Sequence, residues 1–147
     1  MGRVSDILAN KGAKVYTVAP GVSAFEAITV MLNVGVGSLL VVEDGSIAGI
    51  FTERDYLRRV TLEHRDGKQT PVSDVMTSRV IYVDSTKSVQ ECMAIMTQQR
   101  IRHLPVVDDG ALRGVISIGD LVKFMSKEQQ VEIRFLTEYI TGHPPEA

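Results

Sequence analysis

Cysteine is nearly absent: the 147-residue chain carries only Cys92, so no internal disulfide staples the fold, and no Cys/His cluster has the spacing of a zinc site. Charge of one sign is scarce as well. The 16 Lys and Arg are balanced by 18 Asp and Glu, for a formal net charge of −2 and a pI near 5.9. That leaves no field to draw in nucleic acid or an anionic membrane surface. No apolar run approaches the roughly eighteen residues of a membrane span, and Met1-Gly2-Arg3 opens no signal-peptide pattern. The chain is therefore expected to be soluble; the cytoplasm is the default compartment, an organelle the alternative if a transit segment was removed. Catalytic arrangements are missing too. His64, His103 and His143 stand in unrelated contexts and Cys92 lacks an electropositive neighbour, so the expectation is a protein that is not an enzyme.

What the chain does have is itself, twice. Sliding it by about 65 residues, without a gap, brings Val15 onto Val80, Ser23 onto Ser88, Glu26 onto Glu91 and Met31 onto Met96. The register continues with Leu39 on Leu104, Val41-Val42 on Val106-Val107, Asp44-Gly45 on Asp109-Gly110, Gly49 on Gly114 and Asp55 on Asp120. Upstream, Val4-Ser5-Asp6-Ile7-Leu8 matches Val72-Ser73-Asp74-Val75-Met76, with about three extra residues around Asn10-Lys11-Gly12 in the first copy.

Val4 to Leu8 predicts a helical turn that Ser5 can cap. Lys14 to Ala19 predicts a strand stopped by Pro20-Gly21. From Ser23 the apolar period becomes helical, with Ala24, Ala27, Ile28, Met31 and Leu32 on one face, a Ser23/Glu26 capping box at the start and Gly35 as the stop. Leu39 to Val42 and Ile47 to Phe51 predict a hairpin about Asp44-Gly45, and Thr52 opens a helix through Tyr56, Leu57 and Val60. Thr61 to Pro71 is the connection.

The second copy repeats the order. Its first strand is Val80 to Val83 and its helix Ser88 to Gln98, with Val89, Cys92, Met93 and Met96 inward. Leu104 to Val107 with Leu112 to Ile116 form its hairpin, and Asp120 to Ser126 opens its last helix. A separate amphipathic helix after Glu128 presents Val131, Phe135, Leu136, Tyr139 and Ile140, closed by Gly142 and Pro144-Pro145, and suits an apolar patch or a partner. One copy of about 55 residues buries its apolar faces poorly. The fold class is therefore α/β (α+β), two β-α-β-β-α repeats packed with pseudo-two-fold symmetry plus a C-terminal helix. Repeat 1 spans 4–60, a linker 61–71, repeat 2 72–126 and the tail 127–147.

The doubled step Gly-x-x-[Thr/Ser]-x-x-Asp, Gly49 to Asp55 and Gly114 to Asp120, carries the chemistry. Thr52 and Ser117 read most simply as N-caps. Three residues on, a capping box prefers Glu or Gln, and both copies carry Asp, a side chain expected to be less suited to reaching back. A short carboxylate beside a hydroxyl in a helix's first turn suits the vicinal diol of a ribose. The same helix start offers N–H groups and a positive dipole to a phosphate. Ribose plus phosphate indicates a nucleotide.

Arg102-His103-Leu104-Pro105-Val106-Val107-Asp108-Asp109-Gly110, Gly49-Ile50-Phe51-Thr52-Glu53-Arg54-Asp55 and Gly114-Val115-Ile116-Ser117-Ile118-Gly119-Asp120 together resemble the cystathionine β-synthase (CBS) domain family in its tandem-pair form, over about residues 4 to 126. The resemblance implies a regulatory module for adenosine-containing ligands such as AMP, ADP, ATP, NAD(H) or S-adenosylmethionine, with AMP the first expectation and no catalytic cofactor. It implies two sites and a homodimer. Ser117 and Asp120 would hold one ribose, Arg102 and His103 its phosphate, and Val15 and Tyr16 its adenine. Thr52 and Asp55 would hold the other ribose, Arg54 its phosphate, and Val80 with Ile81 its base; Val36 and Ile101 complete the adenine-lining set. Gly37 and Ser38 take the phosphate-facing places of Arg102 and His103, which removes a cation and predicts sites of unequal preference. With no effector domain attached, such a module would act in trans on a partner enzyme or transporter; a ligand-free dimerising adaptor is the alternative, a nucleotide-acting enzyme a lesser one.

Overall fold

A computed structural model describes residues 2–12 and 14–141, with side chains to 137. Its backbone forms two compact units, Lys14–Ile81 and a second made of the N-terminal residues together with those from Tyr82 onward. The units do not follow the repeats. Each hairpin is joined by the short leader that opens the other repeat.

In the continuous unit, β1 (Thr17–Val18) runs parallel to β2 (Ser38–Glu43), which pairs antiparallel with β3 (Ser46–Thr52). Asp44 and Gly45 both take positive φ, 51° and 77°, as the tight hairpin requires. Helix α2 (Ala24–Val34) is capped by Ser23, whose Oγ accepts from the Glu26 N–H at 3.0 Å, and it ends at Gly35. Only the Ser23 half of the expected box forms. The next amides, Ala24 and Phe25, donate to the Thr70 and Gly67 carbonyls, so the connecting segment closes over the helix start. Ala24, Ala27, Met31, Leu39, Val41 and Phe51 make the core with Val60, Val72 and Val75. Leu32, expected on the buried face, is 70% exposed. Helix α3 (Glu53–Tyr56) passes directly into a π-helical turn, Leu57–Thr61, that buries Val60 and leaves Leu57 outside.

In the discontinuous unit, β4 (His103–Asp108) and β5 (Ala111–Ser117) form the second hairpin, and α4 (Val89–Gln99) buries Val89, Cys92 and Met96 while Met93 is half-buried. Burial pushes the Cys92 thiol up to about 11, which keeps it inert. The expected strand Val80 to Val83 shrinks to a single bridge, Val83 to Val106. Pro105 explains this. Its counterpart Leu40 donates its N–H to the Tyr16 carbonyl at 3.2 Å and so extends β1; proline has no N–H to give.

Helix α1 (Val4–Lys11) belongs to this unit. Ser5 does not cap it. The Val4 and Ser5 amides donate to the Lys87 and Ser85 carbonyls, and Arg3 is the cap, its N–H meeting the Asp6 carboxylate at 2.9 Å. Leu8 covers Gly114 of β5, as Met76 covers Gly49 of β3 in the other unit. The last helix, α5 (Ile118–Thr141), is continuous across the break expected near Glu128, because Ser126 to Gln130 contains no glycine or proline to stop it. Its Val131, Phe135 and Leu136 are exposed. The side chains of Tyr139 and Ile140, and Gly142 with the Pro144-Pro145 tail, lie outside the described residues.

Candidate functional site

Both Gly-x-x-[Thr/Ser]-x-x-Asp steps turn a strand into a helix, and both aspartates reach back after all. Asp120 Oδ2 accepts from the Ser117 N–H at 2.8 Å while Ser117 Oγ accepts from the Asp120 N–H at 3.1 Å. Thr52 and Asp55 repeat this at 3.0 and 3.1 Å. With the cap residue extended, as Thr52 is at φ −117° and ψ 163°, its N–H lies close enough for the shorter carboxylate. The capping role is therefore real, and what matters is the acceptor capacity left over.

That capacity differs between the units. Lys11 at the end of α1 donates to Asp120 Oδ2 at 2.7 Å and to the Val115 carbonyl at 2.8 Å. Among the described residues nothing bonds to Asp120 Oδ1, and the side chain is 23% exposed. Among the described residues no cation pairs with Asp55; its Oδ1 accepts from the Thr77 hydroxyl at 3.2 Å. Neither Lys11 nor Thr77 was anticipated from the repeat register. The signal for Lys11 was the insertion Asn10-Lys11-Gly12, found in one copy only. Burial alone would raise the Asp120 carboxyl, but the Lys11 hydrogen bond, the Ser117 N–H and the Lys11 charge outweigh it and hold the group below its ordinary value.

His103 pairs in register with Ser117 across the hairpin, and the Arg102 carbonyl accepts from the Ile118 N–H at 2.8 Å, tying the start of β4 to the start of α5. Ser117, Asp120, Arg102, His103 and Lys11 are thus neighbours, with half-buried Ile101 preceding them. In the other unit Ser38 pairs with Thr52, and the Gly37 carbonyl accepts from the Glu53 N–H at 3.2 Å. Arg54 is exposed on α3, and Val80 and Ile81 are half-buried outside any strand. Val36 and Tyr16 pack against this unit's core, with the Lys14 ammonium 5.2 Å from the Tyr16 ring centroid. Half-buried Val15 and Tyr16 belong to the unit that does not contain Ser117 and Asp120.

Burial lowers the ionisation of His103 below its ordinary 6.5, and the Lys11 and Arg102 charges act the same way against the pull of Asp120. The ring is therefore mostly neutral at pH 7, a hydrogen-bonding group and not a cation. The unfolded chain takes up this proton first, so folding stability falls as pH drops below about 6.5. Asp120 has a depressed carboxyl, whose contribution is complete above its ordinary 3.8 and lost beneath it. Urea unfolding between about pH 7 and about pH 5 should therefore show a smaller stability loss in His103→Gln than in wild type; parallel losses would assign the slope to other groups.

Among the described residues no group of three or more His, Cys, Asp or Glu is placed to hold a metal, and no helix is long and apolar enough to cross a membrane. The CBS-domain family model matches residues 4–62 and 72–127. The mitochondrial CBS domain-containing protein CBSX3 of Arabidopsis thaliana is 40% identical over 82% of this chain, which spans 61% of that protein's length. The CBS domain-containing protein YhcV of Bacillus subtilis is 39% identical over 87% of this chain and 89% of its own. A solved CBS-domain protein from Burkholderia ambifaria superposes with a TM-score of 0.84 at 49% identity, covering 86% of this chain and 96% of that one. Two matches in tandem, over both copies of the step just described, mean that this chain belongs to the CBS-domain family as a tandem pair.

Proposed function

We propose that the chain is a regulatory module that binds an adenosine-containing nucleotide, with Ser117 and Asp120 holding the ribose and Arg102 with His103 facing the phosphate. The observation that carries this is Asp120 itself: a carboxylate whose Oδ2 is committed to the helix cap and to Lys11 and whose Oδ1 is unbonded among the described residues. A ribose diol donates two O–H groups, and an ionised carboxylate accepts both. Thr52 and Asp55 form a second, weaker site, because Thr77 already occupies the outer oxygen and Gly37 and Ser38 supply no cation. The module acts in the cytoplasm, or in an organelle, as a homodimer that regulates a partner enzyme or transporter in trans rather than catalysing a reaction.

A melting-temperature panel of adenosine, AMP, ADP, ATP, NADH and S-adenosylmethionine tests this, since a ligand held only by the folded state stabilises it by mass action. The expected result is a rise of several degrees with at least one adenosine compound, without turnover. No rise with any of them would favour a ligand-free adaptor, for which the exposed Val131, Phe135 and Leu136 of α5 are the supporting observation. Turnover would favour an enzyme.

A further inference from the structure

Helix α1 is fastened unevenly. At its start the Val4 and Ser5 amides donate to the Lys87 and Ser85 carbonyls, and Val4 and Ile7 are buried. Its last turn is held by much less. Ala9, Asn10, Lys11 and Gly12 are exposed, and Gly12 ends the helix at φ 85° with open space beside its Cα. Among the described residues, the hydrogen bonds that tie this turn to the rest of its unit come from the Lys11 ammonium alone, at 2.7 Å to Asp120 Oδ2 and 2.8 Å to the Val115 carbonyl.

That tether ends on an oxygen the ribose needs. Asp120 Oδ2 already accepts from the Ser117 N–H at 2.8 Å, and a carboxylate oxygen offers two lone-pair positions. With Lys11 in place both are filled, and Oδ1 alone faces a diol. Two hydroxyls held one on each oxygen therefore require a donor to leave Oδ2. The Ser117 N–H is fixed in the backbone between β5 and α5, whereas Lys11 reaches Asp120 on a flexible four-carbon stem and its side chain is 37% exposed. A partly exposed ion pair contributes little and a hydroxyl donating to a carboxylate contributes more, so the exchange favours the ligand. Asp55 is the contrast within the chain: its Oδ2 holds the Thr52 N–H and its Oδ1 the Thr77 hydroxyl, with no cation on either among the described residues.

We propose that Lys11 is an internal competitor for the Asp120 site: an adenosine ligand that takes both carboxylate oxygens displaces the ammonium and frees the last turn of α1, from which the chain runs on into the other unit at Lys14. The proposal rests on the ribose assignment above and adds a readout to it. Occupancy at Asp120 becomes a loosening of the segment that leaves α1, a switch the Asp55 site does not carry.

Adenosine is the probe, because it is uncharged and its binding is not steered by the Lys11 charge. Calorimetry and amide hydrogen exchange are run on the full chain as wild type, Lys11→Met and Lys11→Arg, each with a melting curve. Lys11→Met is expected to bind adenosine about two- to fivefold tighter than wild type, the change set by loss of one partly exposed ion pair, and Lys11→Arg, which keeps a cation, to stay near wild type. Raising the salt screens the pair, so it should tighten adenosine binding to wild type and leave Lys11→Met unaffected. Saturating adenosine should speed exchange at the Lys11 and Gly12 amides of wild type, while in Lys11→Met both exchange fast with or without it. Equal or weaker binding by Lys11→Met, or unchanged or slower exchange at those two amides in wild type, means that the sugar is held through Oδ1 with Lys11 in place, and overturns the competitor while the ribose reading stands. Absence of adenosine binding by all three chains overturns the ribose reading, and the proposal with it.

Discussion

Asp120→Ala is expected to weaken adenosine and AMP alike by roughly thirty- to a hundredfold, the equivalent of about 2–3 kcal/mol of charge-assisted hydrogen bonding. The equality is the informative part. A sugar contact is common to both ligands, whereas a phosphate contact would penalise AMP alone. The substitution also removes half of a capping box and the partner of Lys11, so a melting curve must accompany the calorimetry. Ser117→Gly separates the two effects, because glycine is a tolerable cap and takes away the hydroxyl proposed to meet the sugar while leaving the carboxylate. Unchanged affinity in Asp120→Ala would refute the ribose assignment. Asp55→Ala, on the other unit, should leave this site's affinity untouched.

Gly49→Ala should cost roughly 1–3 kcal/mol of folding stability and Gly114→Ala less than about 1, although the two glycines are equivalent in the repeat. A Cβ on Gly114 would meet Leu8 Cδ2 at 2.8 Å, the free end of a side chain that can rotate away. A Cβ on Gly49 would meet the sulfur of Met76 at 2.5 Å and the Thr77 carbonyl oxygen at 2.9 Å. That carbonyl accepts from the Ile50 N–H at 2.9 Å, and the Thr77 N–H is returned to the Ile50 carbonyl at the same distance. Moving it breaks a bridge, so the usual gain of about 0.5–1 kcal/mol for replacing a strand glycine is overwhelmed at Gly49 and nearly cancels the strain at Gly114. Denaturant midpoints of the two variants measure the difference. Equal midpoints would mean that the leader segments yield alike.

Much of this was legible in the residues. The self-match of the chain located both hairpins and both Thr/Ser–Asp steps, because alternating apolar residues around Asp-Gly and a polar cap after a strand are local signals. The losses came where a distant segment decides. Pro105, visible in the sequence, was enough to demote the strand before Val83, yet its effect depends on which N–H that neighbour needs. Ser5 looks like a cap until Lys87 and Ser85 offer their carbonyls. Asp at the third helical position looked too short, and an extended cap residue shortened the reach. Lys11 was hidden most thoroughly. An alignment of the copies treats an insertion as a gap, and only the fold shows that the gap carries the cation for Asp120.

The exchange of leader segments has a consequence for how the molecule is made. On the ribosome, residues 14–81 can close around Phe51 as soon as they emerge, whereas α1, made before them, must wait exposed until Gly114 and Asp120 arrive. Severing the gene at the repeat boundary would therefore strand α1 with one product and the Val72–Asp74 turn with the other, giving two fragments that complement each other only when mixed.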